Sequence, residues 1–177
     1  MIQGIAIVGG NGSGKSTLGK ALADHLGWKA MDVEDYYFKP SSIPYADSRT
    51  KEEVTQLLLA DIKHHKRFVF SSVNCDYGPK INAFYTCVIY LQVPRDVRLA
   101  RIAQRAVDKF GTRVLAGGDM YEQEQEFFQF AASRSMEKTD AWVSTLHCPV
   151  IYADGTKPVS ELVTQIRLQL QIHSLLP

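Results

Sequence analysis

A chain of 177 residues, 45% of them apolar and 22% charged, has the length and composition of one globular domain. Lysine plus arginine, 20 residues, nearly balances aspartate plus glutamate, 19 residues, so charge gives no case for nucleic acid or an anionic membrane as a partner. No run approaches the ~18 consecutive apolar residues that a membrane-spanning helix needs. Three scattered cysteines without CxxC spacing predict reduced thiols in a cytoplasmic protein.

Short apolar runs alternate with amphipathic segments along the whole chain. Strands are predicted at residues 2–8, 28–33, 67–73, 87–93 and 149–156. Helices are predicted at residues 15–27, 50–66, 95–110, about 121–146 and 157–176. Strands that alternate with helices predict an α/β fold, a five-stranded parallel sheet with helices on both faces, in a single domain of residues 1–177.

The first strand runs into residues 9–16, GGNGSGKS, which match the phosphate-binding pattern GxxxxGK[ST] and open the first helix. Glycines let backbone N–H groups surround phosphate oxygens, and the helix N-terminus adds partial positive charge. The lysine reaches the β- and γ-phosphates of ATP, and the serine hydroxyl can bind Mg²⁺. The predicted ATP-binding residues of this loop are Gly10, Asn11, Gly12, Ser13, Gly14, Lys15, Ser16 and Thr17.

The second strand ends in three carboxylates, Asp32, Glu34 and Asp35, which three aromatic residues follow at once. The third strand ends in Ser71, Ser72 and Asn74 without an acid, which argues against an AAA motor, as the chain length also does. Strand C-termini face the ligand crevice of such a sheet. We therefore expect Asp32, with Ser16, to serve Mg²⁺.

This order of motifs resembles the small-molecule kinases of the nucleoside-monophosphate-kinase and shikimate-kinase group. In those families an Asp-x-Asp at the second strand serves Mg²⁺ and the acceptor hydroxyl, and Asp32-Val33-Glu34 matches with Glu in the second place. The stretch EDYYFKP, residues 34–40, is also similar to the DDF(F/Y)K(P) of uridine- and nicotinamide-riboside-kinase-like enzymes. That similarity implies that Asp35 is the catalytic base and that Tyr36, Tyr37 and Phe38 line the acceptor pocket. Glu34 is the alternative base, and packing under a loop is the alternative for the rings.

The helix after the fourth strand carries Arg98, Arg101 and Arg105 on one face. The RIAQR of residues 101–105 resembles the RxxxR that opens the lid of nucleotide kinases. The resemblance implies that Arg101 and Arg105 clamp the transferred phosphoryl group and that Arg101 also contacts the nucleotide. A solvated helix face is the alternative. Residues 111–120 are then a short lid with glycine hinges.

The turn ADGTKP, residues 153–158, resembles the turn that meets the adenine edge in these kinases, which implies nucleotide contacts from Gly155, Thr156 and Lys157. A simple turn into the last helix needs the same residues, so the two interpretations are compatible.

The expected reaction is transfer of the γ-phosphoryl group of ATP to a small-molecule acceptor. Residues 36–66 are expected to cover that acceptor, and within them Arg49 is the arginine that could enter the site. One arginine facing three carboxylates suits a nucleoside better than a nucleoside monophosphate. A sugar acid or shikimate-like acceptor is the alternative, and a regulatory ATPase is the rival from another class. A monomer and a homodimer are both compatible with the sequence.

Overall fold

The computed structural model describes residues 2–40 and 47–175. Five parallel strands form one sheet in the order β2-β3-β1-β4-β5. The strands are β1 Gln3–Val8, β2 Lys29–Asp32, β3 Arg67–Ser71, β4 Tyr85–Gln92 and β5 Val150–Asp154. The predicted five-stranded parallel α/β fold is confirmed. Residues 41–46 of the predicted acceptor-covering segment lie outside the described residues.

The helices largely follow the predicted spans. They are α1 Lys15–Leu26, α2 Val33–Tyr37, α3 Lys51–His65, α4 Pro79–Asn82, α5 Arg95–Phe110, α6 Tyr121–Ser133, α7 Glu137–Ser144 and α8 Val159–Ile172, with a 3₁₀ turn at Gly111–Val114. Within the described part of the chain, no helix is long and apolar enough to cross a membrane.

Several helical features differ from the prediction; the short helix α4 and the 3₁₀ turn, for example, were not predicted. The single helix expected at about 121–146 is two helices. The backbone is extended at Arg134, and the Ser135 hydroxyl accepts the Glu137 N–H at 3.1 Å where the second helix begins. The short helix α2 was not predicted. It forms because Asp32 caps it, its side chain accepting the Glu34 N–H.

The sheet is covered on both faces, which is why its strands are continuously apolar. Alternate residues of β1 point to opposite faces, Ile5 and Ile7 to one and Ala6 and Val8 to the other. The first face packs against α1 and α8, through Leu18, Leu22, Leu162 and Ile166. The second packs against α3 and α7, through Val54, Leu58, Ile62 and Trp142.

The order of the strands brings the motifs to one edge. β1 is central, between β3 and β4, and the chain changes its winding direction beside it. Because all five strands are parallel, their carboxyl ends lie at the same edge, where ligands bind in such sheets. The glycine loop follows β1, Asp32 ends β2, and the turn of residues 154–157 follows β5.

Candidate active site

The glycine loop forms an anion cradle. Gly12 and Gly14 have φ of 79° and 93°, a left-handed conformation that glycine adopts without strain. A side chain at Gly12 would also run into the Arg98 carbonyl. The first turn of α1 begins immediately after the loop and leaves its N–H groups free for a ligand. These groups together match the backbone arrangement that binds phosphate.

Lys15 lies folded over this cradle. Its Nζ donates to the Gly10 carbonyl at 3.0 Å. Burial lowers the pKa of the Lys15 ammonium to about 8, although the negative charge of Asp32 partly opposes this. A bound polyphosphate would place negative charge beside the Lys15 ammonium. Lys15 would then exchange its hydrogen bond to Gly10 for a stronger, charge-assisted one to the phosphate.

Asp32 has one carboxylate oxygen in use and one without a partner. Its Oδ1 accepts the Glu34 N–H at 3.0 Å, whereas Oδ2 is buried and has no hydrogen-bond partner among the described residues. A buried carboxylate oxygen without a partner lowers the stability of the fold unless a cation or a hydrogen-bond donor binds it. Ser16 opens α1 with an exposed side chain. Asp32 and Ser16 therefore fit the expected Mg²⁺ ligands.

Protein side chains alone do not complete a metal site. Within residues 2–40 and 47–175, no group of three or more His, Cys, Asp or Glu side chains is arranged to hold a metal ion. Phosphate oxygens of a bound nucleotide would have to supply most of the ligands, as is usual for Mg²⁺.

Glu34 and Asp35 diverge, because successive side chains of a helix point in different directions. Glu34 lines the same cleft as Lys15 and Arg105. Loss of water around it raises the pKa of Glu34, the Asp32 charge adds to this, and Arg105 opposes it. Glu34 and Asp35 are both exposed, but Asp35 is not among the residues lining this cleft. The structure brings Glu34 to Lys15, and a base role for Asp35 would require α2 to turn.

The three aromatic residues also separate. Tyr36 is 8% exposed, its hydroxyl donates to Asp61 at 2.6 Å, and its ring meets Phe70 edge-on. This burial corrects the expectation that Tyr36 lines the acceptor pocket, because the ring belongs to the core. Tyr37 is exposed and packs edge-on against Phe38. Phe38 lines a cavity beside the cleft.

Arg49 holds the end of α2 in place. Its Nη1 donates to the carbonyls of Tyr36 at 2.9 Å and Phe38 at 2.8 Å. Its main-chain N–H donates to the Tyr37 carbonyl at 2.7 Å. The sequence-based expectation was that Arg49 binds the acceptor. In the structure it positions the backbone that carries the acidic and aromatic residues.

Arg98 and Arg101 of α5 contact main-chain carbonyls of the glycine loop. Arg98 Nη1 donates to the Asn11 carbonyl at 3.1 Å. Arg101 Nη1 donates to the Gly155 carbonyl at 2.9 Å and to the Ser13 carbonyl at 3.4 Å. Neither arginine is therefore freely solvated, as the alternative interpretation of this helix face required.

Arg105 has a different environment. It lines the cleft with Lys15 and Glu34, and it has no hydrogen-bond or ion-pair partner among the described residues. Arg134, at the end of α6, adds a second cation at the loop, where its Nη1 lies 3.4 Å from Asn11 Oδ1. Burial lowers the pKa of Arg134.

The turn after β5 is internally bonded. Asp154 Oδ1 accepts the main-chain N–H of Thr156 at 3.0 Å and its hydroxyl at 2.6 Å. The Gly155 N–H donates to the end of β4 and its carbonyl accepts from Arg101, so both polar groups of Gly155 are engaged. The N–H groups of Thr156 and Lys157 both donate to Asp154, so their carbonyls are the main-chain groups that a base could contact.

The segment predicted to be a lid is a compact connection between α5 and α6. Arg113 makes a bidentate ion pair with Asp119, at 2.9 and 2.7 Å, on the exposed surface. Gly118 closes the same turn, since its N–H donates to Leu115 at 2.8 Å. Arg113 is thereby engaged within the connection, away from the residues that line the cleft.

A second cavity lies beside the cleft and shares lining residues with it. The cleft has a volume of about 220 Å³ and the cavity, enclosed by α2, α5 and α6, about 230 Å³. Three rings line the cavity, those of Phe38, Phe110 and Phe127. Four residues line both spaces, Glu34, Ile102, Arg105 and Phe127.

Sequence reasoning missed two rings of the cavity, Phe110 and Phe127. Phe110 is the last residue of α5. Phe127 stood within a helix whose partner was unknown. The sequence shows only that consecutive helices carry apolar residues, and this pattern does not indicate that the helices line a cavity.

Sequence comparison with known proteins finds a family match and several relatives. A family model described as an AAA domain matches residues 5–142. The uncharacterized protein YqaC of Bacillus subtilis (strain 168) is 30% identical over 174 residues, which cover 94% of this chain and 96% of that protein. A probable gluconokinase of Mus musculus is 45% identical over 42 residues, 24% of this chain and 23% of that protein.

Two crystal structures resemble this chain over nearly its whole length. A gluconokinase from Sinorhizobium meliloti 1021 has a TM-score of 0.57 at 16% identity, covering 98% of this chain and 97% of its own. A shikimate kinase from Bacteroides thetaiotaomicron has a TM-score of 0.58 at 20% identity, covering 97% and 99%. At these identities the similarity establishes a P-loop kinase-like fold.

Proposed function

The chain belongs to the AAA domain family of P-loop proteins, and from that premise we propose that it is an ATP-dependent phosphotransferase for a small, non-nucleotide hydroxyl acceptor. One observation carries the proposal. The phosphate cleft and a cavity of about 230 Å³ share lining residues, and Glu34 and Arg105 line both. A donor phosphate and an acceptor hydroxyl would meet between these two side chains.

The donor end follows from the glycine loop. Lys15 and the amides of the loop hold the phosphates, and Thr156 and Lys157 contact the base. Asp32 and Ser16 hold Mg²⁺, which in phosphoryl transfer neutralises charge on the phosphate oxygens. The unpartnered Oδ2 of Asp32 supports this assignment.

The transfer itself needs a base and a cation. The acceptor hydroxyl oxygen attacks the γ-phosphorus, the bond from that phosphorus to the bridging oxygen breaks, and ADP departs with the bonding electrons. Glu34 accepts the proton of the hydroxyl, a role that its raised pKa supports, because a carboxylate with a higher pKa is a stronger base. Arg105 neutralises the charge that develops on the transferred group.

The acceptor cavity favours a small hydroxylated acid over a nucleoside. At about 230 Å³ it lies below the roughly 300–1,000 Å³ of pockets for drug-sized ligands. Its rings offer one apolar face, while Glu34, Arg105, Lys109 and Glu124 offer polar groups. Solved structures with this fold are named for kinases of gluconate and shikimate, which supports the same class. The nucleoside expected from the acidic-aromatic stretch has no comparable support.

A metabolite panel tests the proposal. ADP release and the phosphorylated product are followed with aldonic acids, hydroxylated ring acids, nucleosides and nucleoside monophosphates, with Lys15→Ala as the inactive control. We expect a hydroxy acid to stimulate ADP release and to gain a phosphate. Transfer to nucleosides alone would make the acceptor class wrong. ATP hydrolysis without acceptor dependence would instead favour the regulatory ATPase.

A further inference from the structure

The outer side of the glycine loop carries two carbonyl groups in matching positions. The Asn11 carbonyl accepts from Arg98 at 3.1 Å, and the Ser13 carbonyl accepts from Arg101 at 3.4 Å. Both arginines come from α5, one turn apart. The loop is therefore contacted at two alternate peptide units by side chains of α5.

Peptide geometry links these carbonyls to the cradle. In a planar trans peptide the C=O and N–H of one unit point in opposite directions. The Asn11 carbonyl shares its unit with the Gly12 N–H, and the Ser13 carbonyl shares its unit with the Gly14 N–H. Neither N–H has a hydrogen-bond partner among the described residues. An arginine that fixes the carbonyl outward thus turns the paired N–H inward.

Both arginines are themselves anchored to the sheet. Arg98 Nε donates to the Val93 carbonyl at 3.3 Å, just after β4, and a side chain at Gly10 would run into the Arg98 guanidinium. Arg101 donates to the Gly155 carbonyl at 2.9 Å, just after β5. Through these two arginines, the glycine loop is connected to the residues that follow β4 and β5.

We propose that Arg98 and Arg101 are positioning residues that orient the Gly12 and Gly14 amides for phosphate before any nucleotide arrives. The inference rests on the proposed nucleotide binding by the loop. It divides the arginines of the α5 stripe by their contacts: Arg101 and Arg105 both line the cleft, but Arg101 is bonded to main-chain carbonyls, whereas Arg105 has no hydrogen-bond partner among the described residues. A preorganised donor costs no reorganisation when the anion binds, which is the source of its strength.

The division changes the role expected for Arg101. The resemblance to nucleotide kinases implied that Arg101 clamps the transferred phosphoryl group. Its contacts with Ser13 and Gly155 instead act on the backbone that binds the phosphates. Loss of Arg101 should therefore weaken the binding of any polyphosphate, with or without a base or an acceptor.

The test is residue-specific amide spectroscopy of the ¹⁵N-labelled full chain, titrated with inorganic triphosphate. In the unmodified chain the Gly12 and Gly14 amide resonances should both move downfield on binding, as charge-assisted hydrogen bonds form. Arg98→Met should diminish the movement of Gly12 and spare Gly14, and Arg101→Met should do the reverse. Each should weaken triphosphate binding about tenfold, the loss of one charge-assisted hydrogen bond.

Matched variants separate positioning from charge and from folding. Arg105→Met removes a cation from the same helix face and should leave the ligand-free Gly12 and Gly14 resonances unchanged. Arg98→Lys and Arg101→Lys keep the charge, and they replace the Met variants if those fail to fold. Because a single ammonium does not reproduce the guanidinium fork, they should recover only part of the amide response.

Three results would overturn the inference. The first is unchanged affinity and unchanged amide movements in both variants. The second is an equal loss at Gly12 and Gly14 in each variant, which would mean that the arginines act by general charge. The third is failure of the unmodified chain to bind triphosphate, which would overturn the proposed function and, with it, the positioning role.

Discussion

Asp32 accepts the main-chain N–H of Glu34 at 3.0 Å, so the residue that ends β2 also sets the direction in which Glu34 leaves the sheet. The same carboxylate keeps its second oxygen buried and unpartnered among the described residues. One side chain therefore links the proposed metal site to the proposed base. Substitutions at Asp32 can separate these two roles.

Asp32→Asn keeps an oxygen that can cap α2 but removes the negative charge. We expect the fold to survive, the rate to fall, and the Mg²⁺ concentration needed for activity to rise. Asp32→Ala should in addition lose the cap, which costs about 1 kcal/mol of unfolding free energy. Magnesium titrations of ADP release and thermal unfolding measure the two effects. An unchanged Mg²⁺ requirement in Asp32→Asn would assign the metal to another residue, such as Glu34.

Nucleotide binding should depend on pH through Lys15. The pKa of its ammonium is about 8 in the nucleotide-free chain, and phosphate binding requires the charged form. Below pH 8 the charge is already present, so affinity should vary little. Above pH 8 binding must take up a proton, and the dissociation constant should rise toward tenfold per pH unit.

Calorimetry in two buffers with different ionisation enthalpies measures that proton uptake directly. Lys15→Arg stays charged throughout this range and should remove the dependence between pH 8 and 10. The same pH dependence in Lys15→Arg would assign the titration to a different group.

Glu34→Gln and Asp35→Asn form a matched pair, because each removes one charge from the same helix with little change of shape. Since Glu34 lines the cleft and Asp35 does not, Glu34→Gln should lower kcat by a factor of roughly 10²–10⁴. Asp35→Asn should leave kcat within about twofold, as expected for an exposed position outside the site. Steady-state kinetics with saturating ATP decides between them. The opposite order of effects would support the base role that the kinase resemblance gave to Asp35.

Tyr36→Phe tests the structural role of the buried ring. It removes the hydroxyl that donates to Asp61 at 2.6 Å and leaves that carboxylate without its partner. The free energy of unfolding should fall by about 1–3 kcal/mol, while KM for the acceptor stays the same. Phe38→Ala should instead raise the acceptor KM, because Phe38 lines the cavity. A raised acceptor KM in Tyr36→Phe would return Tyr36 to the acceptor pocket.

The amino-acid sequence by itself determined the glycine loop, the alternation of strands and helices, and the strand end at Asp32. These features depend on neighbours within a few residues: glycines for left-handed turns, apolar spacing for each element, and a lysine after the loop. Even the first helix could be given within a residue of its observed bounds, Lys15–Leu26. Local chemistry was sufficient there.

Only the tertiary structure decided which member of each cluster faces the site. Glu34 and Asp35 are chemically similar, and the cap at Asp32 sets which of them meets Lys15. Arg98, Arg101 and Arg105 form one stripe on α5, yet the glycine-loop and Gly155 carbonyls that the first two contact lie 54 to 88 residues away in the chain, and Arg105 has no partner among the described residues. Sequence spacing fixes the face of a helix on which a residue lies, but the residues that pack against that face come from distant elements, and the fold alone brings them together.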